Sequence, residues 1–136
     1  MRVLIADDHE IVRRGVRSIL ESRKDTEICA EASDGQEAIE KAVTCKPDLV
    51  ILDHSMPVMD GLRAASKIRE IMPDVPILML SMHHAPQLIG ALRLVGAQGF
   101  VPKGDCADRL NEGIDALMRG ETFFREEKST NSGLSQ

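Results

Sequence analysis

Three short stretches of the chain are apolar at every position, and each is followed by a polar side chain. They cover residues 3–6, 49–52 and 77–80, and the polar residues that follow are Asp7, Asp53 and Ser81. A continuous apolar run of this length is typical of a strand buried on both faces, as in a parallel sheet covered by helices. These three stretches are therefore predicted to form the central strands of one sheet.

Two further strands and five helices are predicted around them. Residues 27–32 alternate polar and apolar and predict an edge strand, and residues 99–101 predict a brief last strand. Gly96 is expected to end the fourth helix, and Asp105 to cap the fifth. Apolar residues at steps of three and four mark the five helices, and the third helix is expected to bury its set. The sets are Ile11, Val12, Val16, Ile19 and Leu20; Ala38, Ile39, Ala42 and Val43; Leu62, Ala65, Ile68 and Met72; Leu88, Ile89, Leu92 and Val95; and Leu110, Ile114, Leu117 and Met118. Five strand–helix units in succession indicate an α/β fold with a parallel sheet and right-handed crossovers.

Composition and charge narrow the classes of protein to which this chain can belong. The 136 residues suit a single domain over residues 1–121, and the polar residues 122–136 suit a flexible tail or the start of a linker. A net charge of -5 argues against nucleic-acid binding by this segment, because phosphate contacts need clustered Lys and Arg. No apolar stretch is long enough to span a membrane, and no signal peptide is recognisable. Together with three scattered cysteines, which suit reduced thiols, the lack of a recognisable membrane span or signal peptide indicates a cytoplasmic protein.

The polar residues that follow the predicted strands form a chemically coherent set. Asp7, Asp8, Asp53, Ser81 and Lys103 would all lie at the carboxyl edge of the sheet, where open α/β sheets bind ligands. Crowded carboxylates repel one another, and Mg²⁺, which prefers oxygen ligands, would relieve that repulsion. A phosphoryl group would then meet the metal, the ammonium and the hydroxyl, with Asp53 as the nucleophile. The set suits phosphoryl transfer, which depends mostly on positioning and charge neutralisation.

Each of these residues also has a simpler explanation. Asp7 or Asp8 would serve as a cap of the first helix, Ser81 would suit a turn, and Lys103 would suit the surface. Taken one at a time, the simpler explanation is favoured. Taken together, complementary polar residues at the ends of four strands favour a functional site.

Four segments of the chain resemble the receiver domain of two-component response regulators. They are residues 7–9 (Asp-Asp-His), residues 52–61 (LDHSMPVMDG), residues 80–82 (Leu-Ser-Met) and residues 96–103 (GAQGFVPK). The likeness covers about residues 2–120. Asp-Asp-His followed by Val12-Arg13, together with the later Leu-Ser-Met-His, is similar to the NarL/FixJ-type subfamily in particular.

The resemblance implies a flavodoxin-like (βα)5 fold with the doubly wound strand order 2-1-3-4-5. It implies that a sensor histidine kinase transfers a phosphoryl group to Asp53, and that the domain catalyses only its own phosphorylation and dephosphorylation. Ser81 and Phe100 would be switch residues, with Ser81 drawn inward on phosphorylation and Phe100 following into the vacated space. The other implied roles are Mg²⁺ binding by Asp8, by Asp53, by the Ser55 backbone carbonyl and, through water, by Asp7, and pairing of Lys103 with the phosphoryl group.

The resemblance also implies an output. The surface formed by the fourth helix, the fifth strand and the fifth helix would change on phosphorylation. Subfamily members usually carry a DNA-binding helix-turn-helix domain after a linker, so the expected output is control of transcription by a domain outside this chain. Whether phosphorylation produces a homodimer stays open.

Two other functions are weighed against this one. A phosphatase of the haloacid-dehalogenase type also uses a strand-end Asp, but it places an acid two residues later, where this chain has Ser55. A receiver that only docks would lack a pocket residue, and none is missing. Among the histidines, His54 is expected to point away from Asp53, His9 to lie in the first helical turn beside the acidic pocket, and His83-His84 to lie in a solvated loop. Gly104 leaves the isomer of the Lys103 peptide bond open.

Overall fold

The computed structural model describes residues 1–82 and 86–124, and in these residues strands and helices alternate. The strands are β1 (Arg2–Ala6), β2 (Glu27–Ala32), β3 (Leu49–Asp53), β4 (Ile77–Ser81) and β5 (Gly99–Pro102). The helices are α1 (Glu10–Glu21), α2 (Gly35–Cys45), α3 (Gly61–Ile71), α4 (Pro86–Leu94) and α5 (Cys106–Met118), the last preceded by a 3₁₀ turn over Lys103–Asp105.

The five strands form one parallel sheet in the order β2-β1-β3-β4-β5, which confirms the predicted flavodoxin-like fold. Every residue of β3, β4 and β5 is buried, whereas the edge strand β2 is partly exposed. Ala6 lies beside Leu52, and Asp53 lies beside Leu80. Because the strands are parallel and in this register, the residues that follow them emerge at one edge of the sheet.

Side chains of the central strands enter two separate cores, because successive residues of a strand point to opposite faces. Leu4 and Val50 pack with residues of α2, α3 and α4 on one face. Ile5 and Ile51 pack with residues of α1 and α5 on the other. This arrangement explains the uninterrupted apolar runs, since each central strand is covered by helices on both faces.

Three of the apolar residues that marked the predicted helices, Ile11, Val43 and Met118, are exposed. Ile11 is the clearest case, with 84% of its surface accessible. On α1 it shares a side with Gly15 and Ser18, which are both exposed, and so lies beside the buried stripe. A sequence pattern marks the stripe but does not show how wide the covered surface is.

The two predicted helix ends have different outcomes. Gly96 follows α4 with φ 88°, the left-handed conformation that ends helices, as predicted. Asp105 does occupy the N-cap position of α5, but its side chain makes no capping hydrogen bond, so the predicted cap is wrong in its mechanism. The preceding 3₁₀ turn carries the backbone directly into the helix. No peptide bond in the described part of the chain is cis, so the Lys103 peptide bonds are trans.

The packed part of the chain continues past residue 121, where the sequence predicted it to end. Phe123 and Phe124 are both buried, one in each core. The Phe123 N–H donates to the Gln98 carbonyl at 2.8 Å, and the Phe100 N–H donates to the Phe123 carbonyl at 2.8 Å. The chain after α5 therefore returns to the open edge of β5 and pairs with it.

Some expectations fall on residues that the structure does not describe. They are the remainder of the predicted tail, residues 125–136, and the predicted loop with His83-His84. Within the described ranges, no helix is both long enough and apolar enough to cross a membrane.

The loop between β3 and α3 has an unfavourable backbone conformation at Val58. Its φ is 68°, in the left-handed region, which is unusual for a β-branched residue. The side chain is 81% exposed and so gains little from packing. The same loop closes tightly at Gly61, whose N–H donates to the His54 carbonyl at 2.9 Å and where a Cβ would collide with the Asp53 carbonyl oxygen. The fold therefore holds Val58 in a strained conformation next to Asp53.

Replacing Val58 by Asn is expected to raise the free energy of unfolding by about 0.5–1 kcal/mol, because Asn tolerates the left-handed conformation better and little packing is lost. Urea denaturation measures the change. The matched control is Val43→Asn, on an exposed valine within α2, where little change is expected because the two residues have similar helix propensities. An equal effect at both positions would show that Val58 is not strained.

Candidate functional site

One ammonium group holds the candidate site together. Lys103, directly after β5, places Nζ 3.0 Å from Asp7 Oδ2 and 3.0 Å from Asp53 Oδ2. All three side chains are almost completely buried. Asp7 follows β1 and Asp53 ends β3, so the neighbouring strands present both carboxylates to the same lysine. The trio carries two negative charges and one positive charge in a place that water hardly reaches.

This environment changes the acidity of Asp53. Burial, and next the negative charge of Asp7, raise the pKa of its carboxyl from 3.8 to about 6, against the opposing effect of Lys103. The carboxylate still predominates at pH 7, so it is available as a nucleophile or as a metal ligand. A further positive charge in the pocket would stabilise the ionised form.

The other predicted residues lie around this trio at different depths. Asp8 is more exposed and faces the same pocket. Ser55, two residues after Asp53, donates its backbone N–H to Asp53 Oδ1 at 3.3 Å. Ser81 is buried at the end of the adjacent strand β4. Phe100 is not at the pocket, because its side chain is packed in the core with only 1% exposed.

The pocket has the donor set that a hard divalent cation requires. Ligand atoms of Asp7, Asp8, His9 and Asp53 all lie within 4.8 Å of one another. Asp7 Oδ2 and Asp53 Oδ2 are buried and accept no hydrogen bond, so the Lys103 ion pairs are their main contacts. Mg²⁺ binds one or two carboxylates and keeps several waters. This coordination suits one exposed and two buried carboxylates at the carboxyl edge of the sheet. The residues present therefore fit Mg²⁺.

His9, which the sequence placed beside the acidic pocket but not among the site residues, is a member of the cluster. It was expected in the first helical turn, but it lies at the N-cap of α1, where its backbone is extended. Its ring nitrogen Nδ1 lies 3.2 Å from both Asp7 Oδ1 and Asp8 Oδ1 and 3.3 Å from Lys103 Nζ. The available signal was its place directly after two strand-end acids. His54, by contrast, is not a member of the acidic cluster, in agreement with expectation.

Replacing Asp53 by Asn is expected to stabilise the metal-free protein by about 1–3 kcal/mol near pH 7.5. The pKa of Asp53 is raised to about 6, so the folded protein holds this proton more tightly than the unfolded chain. Ionised Asp53 therefore lowers stability above about pH 6, and the effect fades as the pH falls towards about 4.

Urea denaturation in chelator at several pH values tests this prediction. The variant should lose its advantage over the wild type between about pH 6 and pH 4. Asp74→Asn, on an exposed carboxylate after α3, is the control and should change stability by less than about 0.5 kcal/mol. A destabilised Asp53→Asn protein at pH 7.5 would contradict the proposed charge crowding.

The chain is similar to known proteins over most of its length. The family model of the response regulator receiver domain matches residues 3–115. The oxygen regulatory protein NreC of Staphylococcus epidermidis is 40% identical over 124 residues, which are 90% of this chain and 57% of that protein. The chain spans 57% to 62% of the length of the curated relatives that it matches first.

Two solved structures share the fold over most of the chain. A LuxR-family two-component response regulator from Aurantimonas sp. SI85-9A1 is 32% identical with a TM-score of 0.86, covering 90% of this chain and 87% of that one. The isolated receiver domain of RcsB from Salmonella enterica serovar Typhimurium, in the presence of the phosphomimetic BeF₃⁻, is 30% identical with a TM-score of 0.86, covering 96% of each chain. With the matched family model, these relatives show that the chain belongs to the response regulator receiver domains, of the NarL/FixJ type.

Proposed function

We propose that this chain is a phosphorylation-activated signalling switch that receives a phosphoryl group on Asp53 from the phosphohistidine of a sensor histidine kinase. The observation that carries the proposal is the Lys103 ammonium, held 3.0 Å from each of two buried strand-end carboxylates. A structural ion pair needs only one carboxylate. Two of them, with Asp8 beside them, suit a site that awaits a cation and a phosphoryl group.

The proposed transfer uses the residues of the pocket in different ways. The Asp53 carboxylate attacks phosphorus, the bond to the donor imidazole breaks, and the imidazole leaves with its electron pair and takes up a proton. Asp8, Asp53, the Ser55 carbonyl and, through water, Asp7 would hold Mg²⁺, which neutralises phosphoryl charge when bound. Lys103 would turn from the carboxylates towards a phosphoryl oxygen. The product is an acyl phosphate, and attack by water would return Asp53.

The proposed switch residues are Ser81, at the end of β4, and Phe100, on β5. Ser81 would bind a phosphoryl oxygen, and Phe100 would report the change to the surface of α4, β5 and α5. Phe100 is already buried in this structure, so the switch would shift the population between this packing and a more open one. Its backbone N–H bonds to Phe123, which supports a route towards a following domain.

The wider biology is inferred from the relatives. The chain covers only part of their length, and we propose that its natural output is control of transcription through a following DNA-binding domain. Its own net charge of -5 argues against nucleic-acid binding by this chain itself. A cytoplasmic setting, with no membrane contact, suits a partner of a sensor kinase.

The competing functions lack support at the same residues. A phosphatase would need a general acid two residues after Asp53, and Ser55 contributes a backbone N–H there. A domain that only docks would have no need to bury two carboxylates against one lysine, which costs desolvation energy. We therefore propose a receiver that accepts one phosphoryl group and catalyses only its own phosphorylation and dephosphorylation.

Incubation with Mg²⁺ and acetyl phosphate, followed by intact-mass measurement, tests the acceptor. The wild type and Asp74→Asn should each gain one phosphate, and Asp53→Asn should gain none. Label retained on Asp53→Asn would place the acceptor elsewhere. Release of many equivalents of phosphate would indicate a hydrolase. If no label appears even with a cognate kinase, the domain only docks.

Replacing Lys103 by Ala is expected to permit some phosphorylation of Asp53 but to stop its effect on the rest of the domain. Amide NMR spectra with and without the phosphodonor measure that effect at Phe100, Val101 and Phe123. Experiments are done with Mg²⁺, since the substitution leaves two buried carboxylates unpaired. Lys67→Ala, on the exposed side of α3, is the control and should respond like the wild type. Wild-type shift changes in the phosphorylated Lys103→Ala protein would remove this role from Lys103.

A further inference from the structure

His9 places a nitrogen atom among the oxygen atoms of the acidic pocket. Its Nδ1 lies 3.2 Å from Asp7 Oδ1, 3.2 Å from Asp8 Oδ1 and 3.9 Å from Asp53 Oδ2. No other histidine in the described part of the chain belongs to this cluster. The donor set is therefore three carboxylates and one imidazole, whereas the expected Mg²⁺ site uses oxygen alone.

The distances suit atoms that share one metal ion. Divalent metals bind such ligands at about 2.1 Å, and two ligands at right angles around the ion then lie about 3.0 Å apart. The separations of 3.2 Å from Nδ1 to the Asp7 and Asp8 oxygens are close to this value. A small movement would allow the imidazole and a carboxylate to bind the same ion at adjacent positions.

The local fold orients the ring, whose Nδ1 lies within hydrogen-bond distance of Asp7 Oδ1 at 3.2 Å. The His9 backbone N–H donates to Asp7 Oδ1 at 2.8 Å, which fixes the residue above the pocket. His9 occupies the N-cap of α1, yet its side chain makes no capping hydrogen bond. The side chain is 58% exposed, so one edge of the ring faces the carboxylates and the rest remains accessible.

We propose that His9 Nδ1 is a ligand of the divalent metal in this pocket, and that the pocket therefore binds transition metals such as Co²⁺ in preference to Mg²⁺. Imidazole suits the later divalent metals of the first transition row, whereas Mg²⁺ favours oxygen ligands. The inference rests on the proposed function only in using the same metal site, and metal binding can be measured without phosphorylation.

A purely structural role for His9 makes a different prediction. The ring would then only contact the carboxylates and Lys103, which is 3.3 Å from Nδ1. A cation entering the pocket would have to displace the ring. Removing the imidazole would then strengthen the binding of Mg²⁺ and Co²⁺ alike, which is the opposite of what a ligand does for Co²⁺.

Titration calorimetry of the metal-free chain with Mg²⁺ and with Co²⁺, at one fixed pH, measures the two affinities. The ratio of the Co²⁺ to the Mg²⁺ affinity should fall by about tenfold or more in His9→Asn, which keeps a small polar side chain but lacks the imidazole. His54→Asn is the matched control, since His54 directly follows Asp53 but lies outside the cluster. A variant with both His83 and His84 changed to Asn controls for the two histidines outside the described residues.

Proton NMR of the Co²⁺ protein supplies a second readout. A histidine bound to Co²⁺ has a strongly shifted ring N–H resonance, which should be present in the wild type and absent in His9→Asn. An unchanged affinity ratio in His9→Asn, tighter binding of both metals, or Co²⁺ binding that Mg²⁺ does not compete for would each overturn the proposal. Acetyl phosphate labelling of the wild type with Mg²⁺ is scored separately, because its failure would refute the proposed function and leave the metal result standing.

Discussion

The structure depends on one electrostatic arrangement, in which Asp7 and Asp53 share the ammonium of Lys103. One lysine cannot neutralise two carboxylates, so the pocket keeps an excess negative charge where burial makes charge costly. The raised pKa of Asp53, about 6, expresses the same imbalance. A pocket with excess negative charge favours the binding of a cation, because the cation relieves the repulsion between the carboxylates.

The sheet offsets the free-energy cost of placing these carboxylates close together. β1 and β3 pair so that Ala6 lies beside Leu52, which brings the next residue of each strand together whatever their charges. The central strands are buried on both faces, and this apolar burial offsets the local electrostatic cost. Gly61 closes the loop after Asp53 where a Cβ would not fit, and Val58 keeps a strained backbone beside it. Strain and charge repulsion are concentrated at the same edge, as is common at functional sites.

The sequence pattern predicted the five strand–helix units and the polar residues that gather at one edge, because continuous apolar runs and the residues that end them report directly on a buried parallel sheet. The strand order was implied by the resemblance to receiver domains. The sequence placed His9 beside the acidic pocket but did not predict that its ring faces the carboxylates, since the direction of a ring depends on backbone angles at the end of β1 and not on spacing. It also placed the end of the domain too early. Phe123 and Phe124 are two adjacent apolar residues without a periodic pattern, and only the open edge of β5 explains their burial.

That edge connects the pocket to the end of the packed chain. Phe100 donates its backbone N–H to Phe123, and Phe124 lies in the same core as Phe100, with the Arg93 guanidinium 4.3 Å from its ring centre. If phosphorylation of Asp53 changes the packing of Phe100, the free energies of Phe123 pairing and Phe124 burial change with it. By linkage, the coupling acts equally in the other direction. Whatever follows Phe124 and favours one packing of this segment would alter phosphorylation of Asp53 by the same free energy, so the pocket and the continuing chain form one equilibrium.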